Sequence, residues 1–361
     1  GRGSTVVGVT DSLIDSGAGE IDASRPLSAR IPATELPELT GPAGVTWRAT
    51  RDDDVEAIAT LLAAMATRDH PEWSETADEI AEEFSHSYVD VARDSVVAED
   101  ADGRMIAHGM AVRAPEPVDY ARVWLSGGVH PEHRGRGLGR QLLAWQTARA
   151  EQLLAELDLT IPGWVLSYAA DRSPEHGRLL ERAGYSPSRY FTTLHAELAG
   201  AALDPRELPD GIRLEPWSPR FSEGARAAKN AAFADHWGSQ PATREGWESW
   251  QGLPTFRPEL SRVALAGDEV VGFITTDVNE EDWARMGRSS GYIGLVGTVR
   301  EWRGRGLASA LLVDVMRAYR AQGLELAVLD VDTANPTGAL GVYERLGFAA
   351  VARDVAYRRL Y

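Results

Sequence analysis

Arg134-Gly135-Arg136-Gly137-Leu138-Gly139 and Arg303-Gly304-Arg305-Gly306-Leu307-Ala308 are spaced as an anion cradle requires, each between an apolar strand-like run and a run of helical period. Glycine lets the backbone approach a phosphate. The N–H groups of the following helix's first turn, where Arg140 and Ser309 also fall, lack intrahelical partners and have the helix dipole behind them. The arginines add positive charge. A tight turn uses glycine for conformation alone, so it is the second copy in the same strand–helix context that favours the phosphate reading. A dinucleotide fingerprint fails on spacing and on position, because each loop follows a hairpin instead of forming a first βα turn.

Groups able to move a proton gather in the second half. Asp330 and Asp332 stand at or just beyond the strand Leu326-Ala327-Val328-Leu329. Burial would have to raise the pKa of Asp330 for work as a base, and a hydrogen-bonded structural carboxylate is the alternative. Tyr343 falls late in a short helix among Leu340, Val342 and Leu346, as a proton donor or as a core residue. Asn335 before Pro336 reads as a helix N-cap, and Gly347 as a C-terminal glycine. Glu280, Glu281 and Asp282 read as a solvated hairpin tip.

The elements that must hold these residues repeat. The loop recurs after 169 positions, Leu180-Glu181-Arg182-Ala183-Gly184-Tyr185 recurs as Tyr343-Glu344-Arg345-Leu346-Gly347-Phe348 after 163, and Asp69-His70 recurs as Asp235-His236 after 166. Three landmarks in one order indicate a duplication. Residues 1–43 read as a tail or arm, 44–198 as a first domain, 199–210 as a linker and 211–361 as a second domain. Each half predicts a strand, two helices, a hairpin (95–113; 261–278), a strand running into the loop (123–129; 292–299), a helix, a strand, a short helix and a terminal hairpin. The fold class is α/β, used twice in tandem: a mixed, mostly antiparallel sheet flanked by helices.

The chain of 361 residues contains no cysteine, which excludes disulfides, thiolate metal sites and an acyl-cysteine intermediate, and its histidines show no metal-binding spacing. A formal net charge of −17 argues against nucleic acid as a partner. No run of 18 apolar residues and no basic-then-apolar leader is present, so the expectation is a cytoplasmic protein without a membrane partner, monomeric or homodimeric.

The loop after the fourth strand, followed in the second half by Asn335, Tyr343 and Gly347-Phe348, resembles motifs A and B of the GNAT N-acetyltransferase superfamily. The resemblance covers roughly residues 45–197 and 211–361. It implies acetyl-CoA as cofactor, with the loop amides and Asn335 on the coenzyme and the Tyr343 phenol protonating the departing thiolate. It also implies that backbone amides of Val296, Gly297 and Thr298, and in the first half of Gly127, Gly128 and Val129, hold the acetyl carbonyl. Asp330, five positions before Asn335, stands where ribosomal-protein alanine acetyltransferases carry a base glutamate. Phe233, His236, Trp237 and Trp247 fall in the acceptor region of this fold, as an aromatic amine site or as core.

Against Asp330, Asn335 and Tyr343 the first half places Ser167, Arg172 and Leu180, so it keeps the phosphate loop and loses the proton-moving groups. The expectation is acetyl transfer to the primary amine of a small molecule by the second domain, in a ternary complex. The tandem plan is similar to that of the mycothiol synthases, whose base glutamate aligns with Tyr292 here. Mycothiol-synthase-like or peptide amine acetylation are alternative acceptors, and a non-enzymatic coenzyme A-binding module is the alternative class.

Overall fold

The computed structural model describes residues 24–234, 237–333 and 339–361. In chain order the first part runs α1 (Leu27–Arg30), β1 (Thr46–Ala49), α2 (Val55–Asp69), α3 (Ala77–Ser85), α4 (Val91–Asp94), β2 (Ser95–Glu99), β3 (Met105–Arg113), β4 (Ala121–Val129), α5 (Leu138–Ala155), β5 (Gly163–Ala170), α6 (Pro174–Arg182) and β6 (Ser186–Glu197). The second runs β7 (Ile212–Pro216), α7 (Ser222–Ala232), α8 (Arg244–Gln251), β8 (Arg262–Ala266), β9 (Glu269–Asp277), α9 (Glu280–Met286), β10 (Ser290–Thr298), α10 (Leu307–Ala321), β11 (Leu326–Asp332), α11 (Ala339–Arg345) and β12 (Ala349–Leu360).

Local rules account for most of these elements. In α2, apolar residues at helical spacing bury Ile58 and Leu61. Thr76 and Glu79 close a reciprocal capping box at the start of α3. Helix α10 buries Leu307, Leu311, Leu312, Val315, Met316 and Tyr319 against the sheet. Tyr319 lies so close to Gly291 that a Cβ there would meet its ring at 2.5 Å. Two expectations fail locally. Residues 280–286 form helix α9, capped by the Asn279 side chain, with Asp282 buried and paired to Arg285; three acidic residues suit a first helical turn as well as a hairpin tip. Part of the supposed tail is structured: Leu27 is fully buried, and Leu27 and Ser28 donate to the carbonyls of Leu159 and Leu157.

The chain divides into two compact units, but not at the linker. Among the described residues, one holds those from 24 to Arg189 together with Asp354–Tyr361; the other holds Tyr190–Arg353. In the first, the sheet order is β1-β2-β3-β4-β5 followed by the end of β12, whose Asp354–Leu360 pairs antiparallel with Ala170–Trp164 of β5. In the second, the order is β7-β8-β9-β10-β11 followed by β6, whose Phe191–Glu197 pairs antiparallel with Asp332–Leu326 of β11. Within each unit β4–β5 or β10–β11 is parallel and the other pairs are antiparallel. The predicted terminal hairpins are therefore replaced by exchanged strands, and the boundaries 44–198 and 211–361 each give away one strand and receive another.

One polar group interrupts the apolar interior of the first unit. His108 on β3 is buried, and neither ring nitrogen has a hydrogen-bond partner among the described residues. Burial pushes its imidazole down from 6.5 to about 4. The unfolded chain therefore takes up this proton first, and stability complete above pH 6.5 is lost as the pH falls toward 4, by roughly 3 kcal/mol at the limit. By strand register the second unit carries Phe273 at the same place. The expected outcome is that His108→Phe flattens the loss of stability between pH 6.5 and 4 in urea titrations. An unchanged acid slope would show that other groups carry it.

The exchange is tested by deletion. Removing residues 354–361 takes Val355 and Tyr357 out of the first unit's interior, roughly 2 kcal/mol for Val355 alone, and unpairs β5. Hydrogen exchange should show β5 losing protection while β8 and β9 keep theirs; the reverse pattern would rule the exchange out.

Candidate active site

Each phosphate loop is built on two left-handed glycines. Gly135 and Gly137 have φ of 75° and 86°, Gly304 and Gly306 have 71° and 80°, and Gly137 and Gly306 are the N-caps of α5 and α10. A Cβ at any of the four would meet nothing within 4 Å, so backbone conformation and not crowding demands glycine, and the space ahead of the helix is open. The first intrahelical bonds are Gln141 N to Gly137 O and Ala310 N to Gly306 O. The amides of Leu138, Gly139 and Arg140, and of Leu307, Ala308 and Ser309, are left facing that space as anion donors.

The arginines do not all serve as expected. Arg134 makes a two-pronged ion pair with Asp69 at 2.8 and 2.6 Å, and its Nε donates to Val129 O. Burial raises the Asp69 carboxyl, but Arg134 and the Ser173 hydroxyl outweigh it and hold the group below the usual carboxylate range. Arg303 turns back likewise, to Thr298 O and Ala232 O. Both first arginines tie the loop to the strand before it instead of pointing charge at a phosphate. Of the second arginines, Arg136 meets His133 Nδ1 at 3.1 Å and Arg305 lies over the Trp302 ring.

Behind each loop the parallel strands part. β10 pairs with β11 only from Ser290 to Tyr292, and β4 with β5 only from Ala121 to Trp124. Val296, Gly297 and Thr298, and Gly127, Gly128 and Val129, lie on the stretches left open on that side. The two stretches differ. β10 carries a bulge between Ile293 and Val296, where Leu295 N donates to Thr275 Oγ1 at 2.8 Å. β4 pairs with β3 without a shift, and Gln146 of α5 reaches in to the carbonyls of Met110 and Ser126 at 3.0 and 2.6 Å.

At the fork of the second unit stands Asp330, half-buried. Tyr292 donates its hydroxyl to Oδ2 at 2.8 Å and Thr193 donates to Oδ1 at 2.6 Å. Asp332, two residues on, is buried. The strand register corrects the comparison of the halves: Trp124 matches Tyr292 and Tyr168 matches Asp330, with ring centroids 5.2 Å apart, while Ser167 faces the opposite side of the sheet. An aromatic pair thus replaces the carboxylate and its phenol partner. Arg172, the counterpart of Asn335, is paired with Glu72 at 2.7 Å; Asn335 itself and His236 lie outside the described residues.

Tyr343 is 3% exposed on α11, edge-on to Phe348 within the main core, and burial pushes its phenol up to about 12. Leu180 holds the matching place in the first unit and is fully buried. Trp247 is core: its indole donates to Ser222 O at 3.1 Å and it packs with Trp217 and Trp250. Trp237 lies half-buried in the turn after α7. The sequence marks neither Tyr292 nor Thr193 as a partner of Asp330: Tyr292 reads as a mismatched base, and nothing in sequence brings β6 beside β11.

The first unit also holds a cleft of about 870 Å³ whose lining includes Gly127, Val129, Arg134, Gly137, Arg140 and His176. With its open loop, that volume fits an elongated phosphate-bearing ligand. Among the described residues no group of three or more His, Asp or Glu could hold a metal, and no helix is long and apolar enough to cross a membrane.

Comparison with known proteins follows the same division. Residues 225–348 match the model of the acetyltransferase (GNAT) family, and residues 92–187 match that of an acetyltransferase (GNAT) domain. A mycothiol acetyltransferase of Thermobispora bispora is 37% identical over 232 residues, 64% of this chain and 74% of that protein. One from Saccharomonospora viridis is 31% identical over 329 residues, 86% and 95% of the two chains. Among solved structures, a GCN5-related N-acetyltransferase from Sphaerobacter thermophilus superposes with a TM-score of 0.65 at 30% identity, covering 89% of this chain and 97% of the other. A tandem GNAT protein from the clavulanic acid biosynthesis pathway, 18% identical and covering 88% and 98% of the two chains, shares the fold with a TM-score of 0.62.

Proposed function

This chain belongs to the GNAT acetyltransferase family and is an acetyl-CoA-dependent N-acyltransferase; we propose that its second unit transfers the acetyl group to the primary amine of a small molecule by direct attack. The observation that carries this reading is Asp330, held by two hydroxyl donors at the fork of β10 and β11, where the first unit has only Trp124 and Tyr168.

When bound, acetyl-CoA supplies the acetyl group as an activated thioester. The amides of Leu307, Ala308 and Ser309, with the turn from Arg303 to Gly306, would hold its pyrophosphate. The open amides of Val296, Gly297 and Thr298 would take the carbonyl oxygen. Asp330 receives the proton the amine must lose. Tyr343, protonated throughout the neutral range, gives its proton to the leaving sulfur. With no cysteine in the chain, amine and thioester are held together instead of in sequence.

The relatives named mycothiol acetyltransferases favour a second, narrower reading, in which the acceptor is the cysteinyl amine of a mycothiol precursor. Tyr292 stands where those enzymes align a glutamate, and its hydrogen bond to Asp330 supports delivery of the carboxylate from the neighbouring strand. In the first unit the cleft supports cofactor occupancy without turnover.

Screening amines with acetyl-CoA while reading thiol release tests the activity; no turnover with any amine, alongside measurable coenzyme binding, would leave a binding module. Double-reciprocal plots should intersect, and parallel lines would overturn direct transfer. Tyr343→Phe should lower kcat by about 10²-fold or more with little change in acetyl-CoA affinity; an unimpaired kcat returns Tyr343 to packing alone. Gly137→Glu should weaken coenzyme binding in the first unit and leave kcat within about a few fold, whereas Gly306→Glu should abolish activity. A dead but folded Gly137→Glu enzyme beside an active Gly306→Glu enzyme would reverse the assignment of the two units.

A further inference from the structure

We propose that Thr193, carried into the second unit by strand β6, is a positioning residue that fixes the orientation of the Asp330 carboxylate. The inference rests on the reading of Asp330 as the proton acceptor. Thr193 precedes the linker in sequence and lies beyond residue 187, where the first family match ends, yet it pairs with Asp330 across β6 and β11.

Its hydroxyl donates to Asp330 Oδ1 at 2.6 Å from a position only 4% exposed. The branched side chain has few rotamers, and the neighbouring Leu194 and Ala196 are anchored in the main core. Thr193 cannot swing away without the strand moving. Tyr292 donates to the other oxygen from β10. One lone pair on each oxygen is thereby used and the carboxylate plane is set; the remaining lone pair on each oxygen is left for an acceptor amine.

Other ionisable groups share this face. Asp332 lies two residues along β11, His195 two residues along β6, and Asp277 of β9 is paired with Tyr292. Helix α9 brings Met286 against Tyr292, and its Asp282 and Arg285 are paired to each other. All of these stay in place when one methyl replaces the Thr193 hydroxyl, so a changed kcat after that replacement reports the lost hydrogen bond.

The test is the pH dependence of kcat/KM in the full-length enzyme for Thr193→Val, Thr193→Ser and Asp330→Asn. Thr193→Val should lower kcat by about tenfold through the loosened geometry, with an unchanged KM for acetyl-CoA. Thr193→Ser should restore kcat, and Asp330→Asn should remove the acid limb. A wild-type kcat in Thr193→Val, with the limb lost in Asp330→Asn, overturns the positioning role and keeps Asp330 as acceptor. A wild-type profile in Asp330→Asn overturns the acceptor reading and the proposal with it.

Discussion

Each unit has one parallel strand pair that stops early: β4 leaves β5 after Trp124, and β10 leaves β11 after Tyr292. Backbone amides and carbonyls inside a protein must find partners, and an interrupted ladder leaves a row of them facing a fork. The surrounding architecture serves that fork. Helices α5 and α10 begin just beyond it, and in the first unit Gly137 and Arg140 line the same cleft as Gly127 and Val129. The exchanged strands pair with the far edges of β5 and β11, and without them the parted strands would have no firm wall.

What each unit then does with its fork depends on a few residues. In the first, Gln146 occupies two carbonyls and Trp124 packs against Tyr168, so a ring stands where the second unit has Asp330. In the second, one extra residue bulges β10, and Asp330 stands with both oxygens engaged by hydroxyl donors. The loops are alike in the two units; the chemistry at the fork is not. A duplicated fold has thus kept the glycine loop twice and the carboxylate at the fork once.

Glycine spacing and helical period were readable in sequence because both follow from local geometry: the left-handed φ of Gly137 and Gly306 and the buried stripe of α10 need no tertiary knowledge. Three features were not readable, each for a physical reason. Pairing Ser167 with Asp330 is a slip of one residue, and in a strand one residue turns the side chain to the other face; only the β4–β5 register exposes Tyr168 as the counterpart. Arg134 and Arg303 look like phosphate ligands in a linear motif, but Asp69 and the Ala232 carbonyl that help to capture them come from distant segments. Strands β6 and β12 have equivalent places in the repeat, and alternation of apolar residues says that a strand will bury a face without saying against which neighbour. That is why Thr193 stayed invisible as a partner of Asp330.

The exchange of strands also sets an order of events during translation. β6 leaves the ribosome before β11, so the second unit can close in the order of synthesis. The first unit has β1 to β5 available early but lacks its last strand until residue 354 has been made. The 183 residues between Ala170, the end of β5, and Asp354 take roughly 10–40 s at about 5–20 residues per second. For that interval β5 is an open sheet edge, the kind of surface on which nascent chains pair wrongly with one another. The amino-terminal half of this enzyme, made first, is the half that must wait.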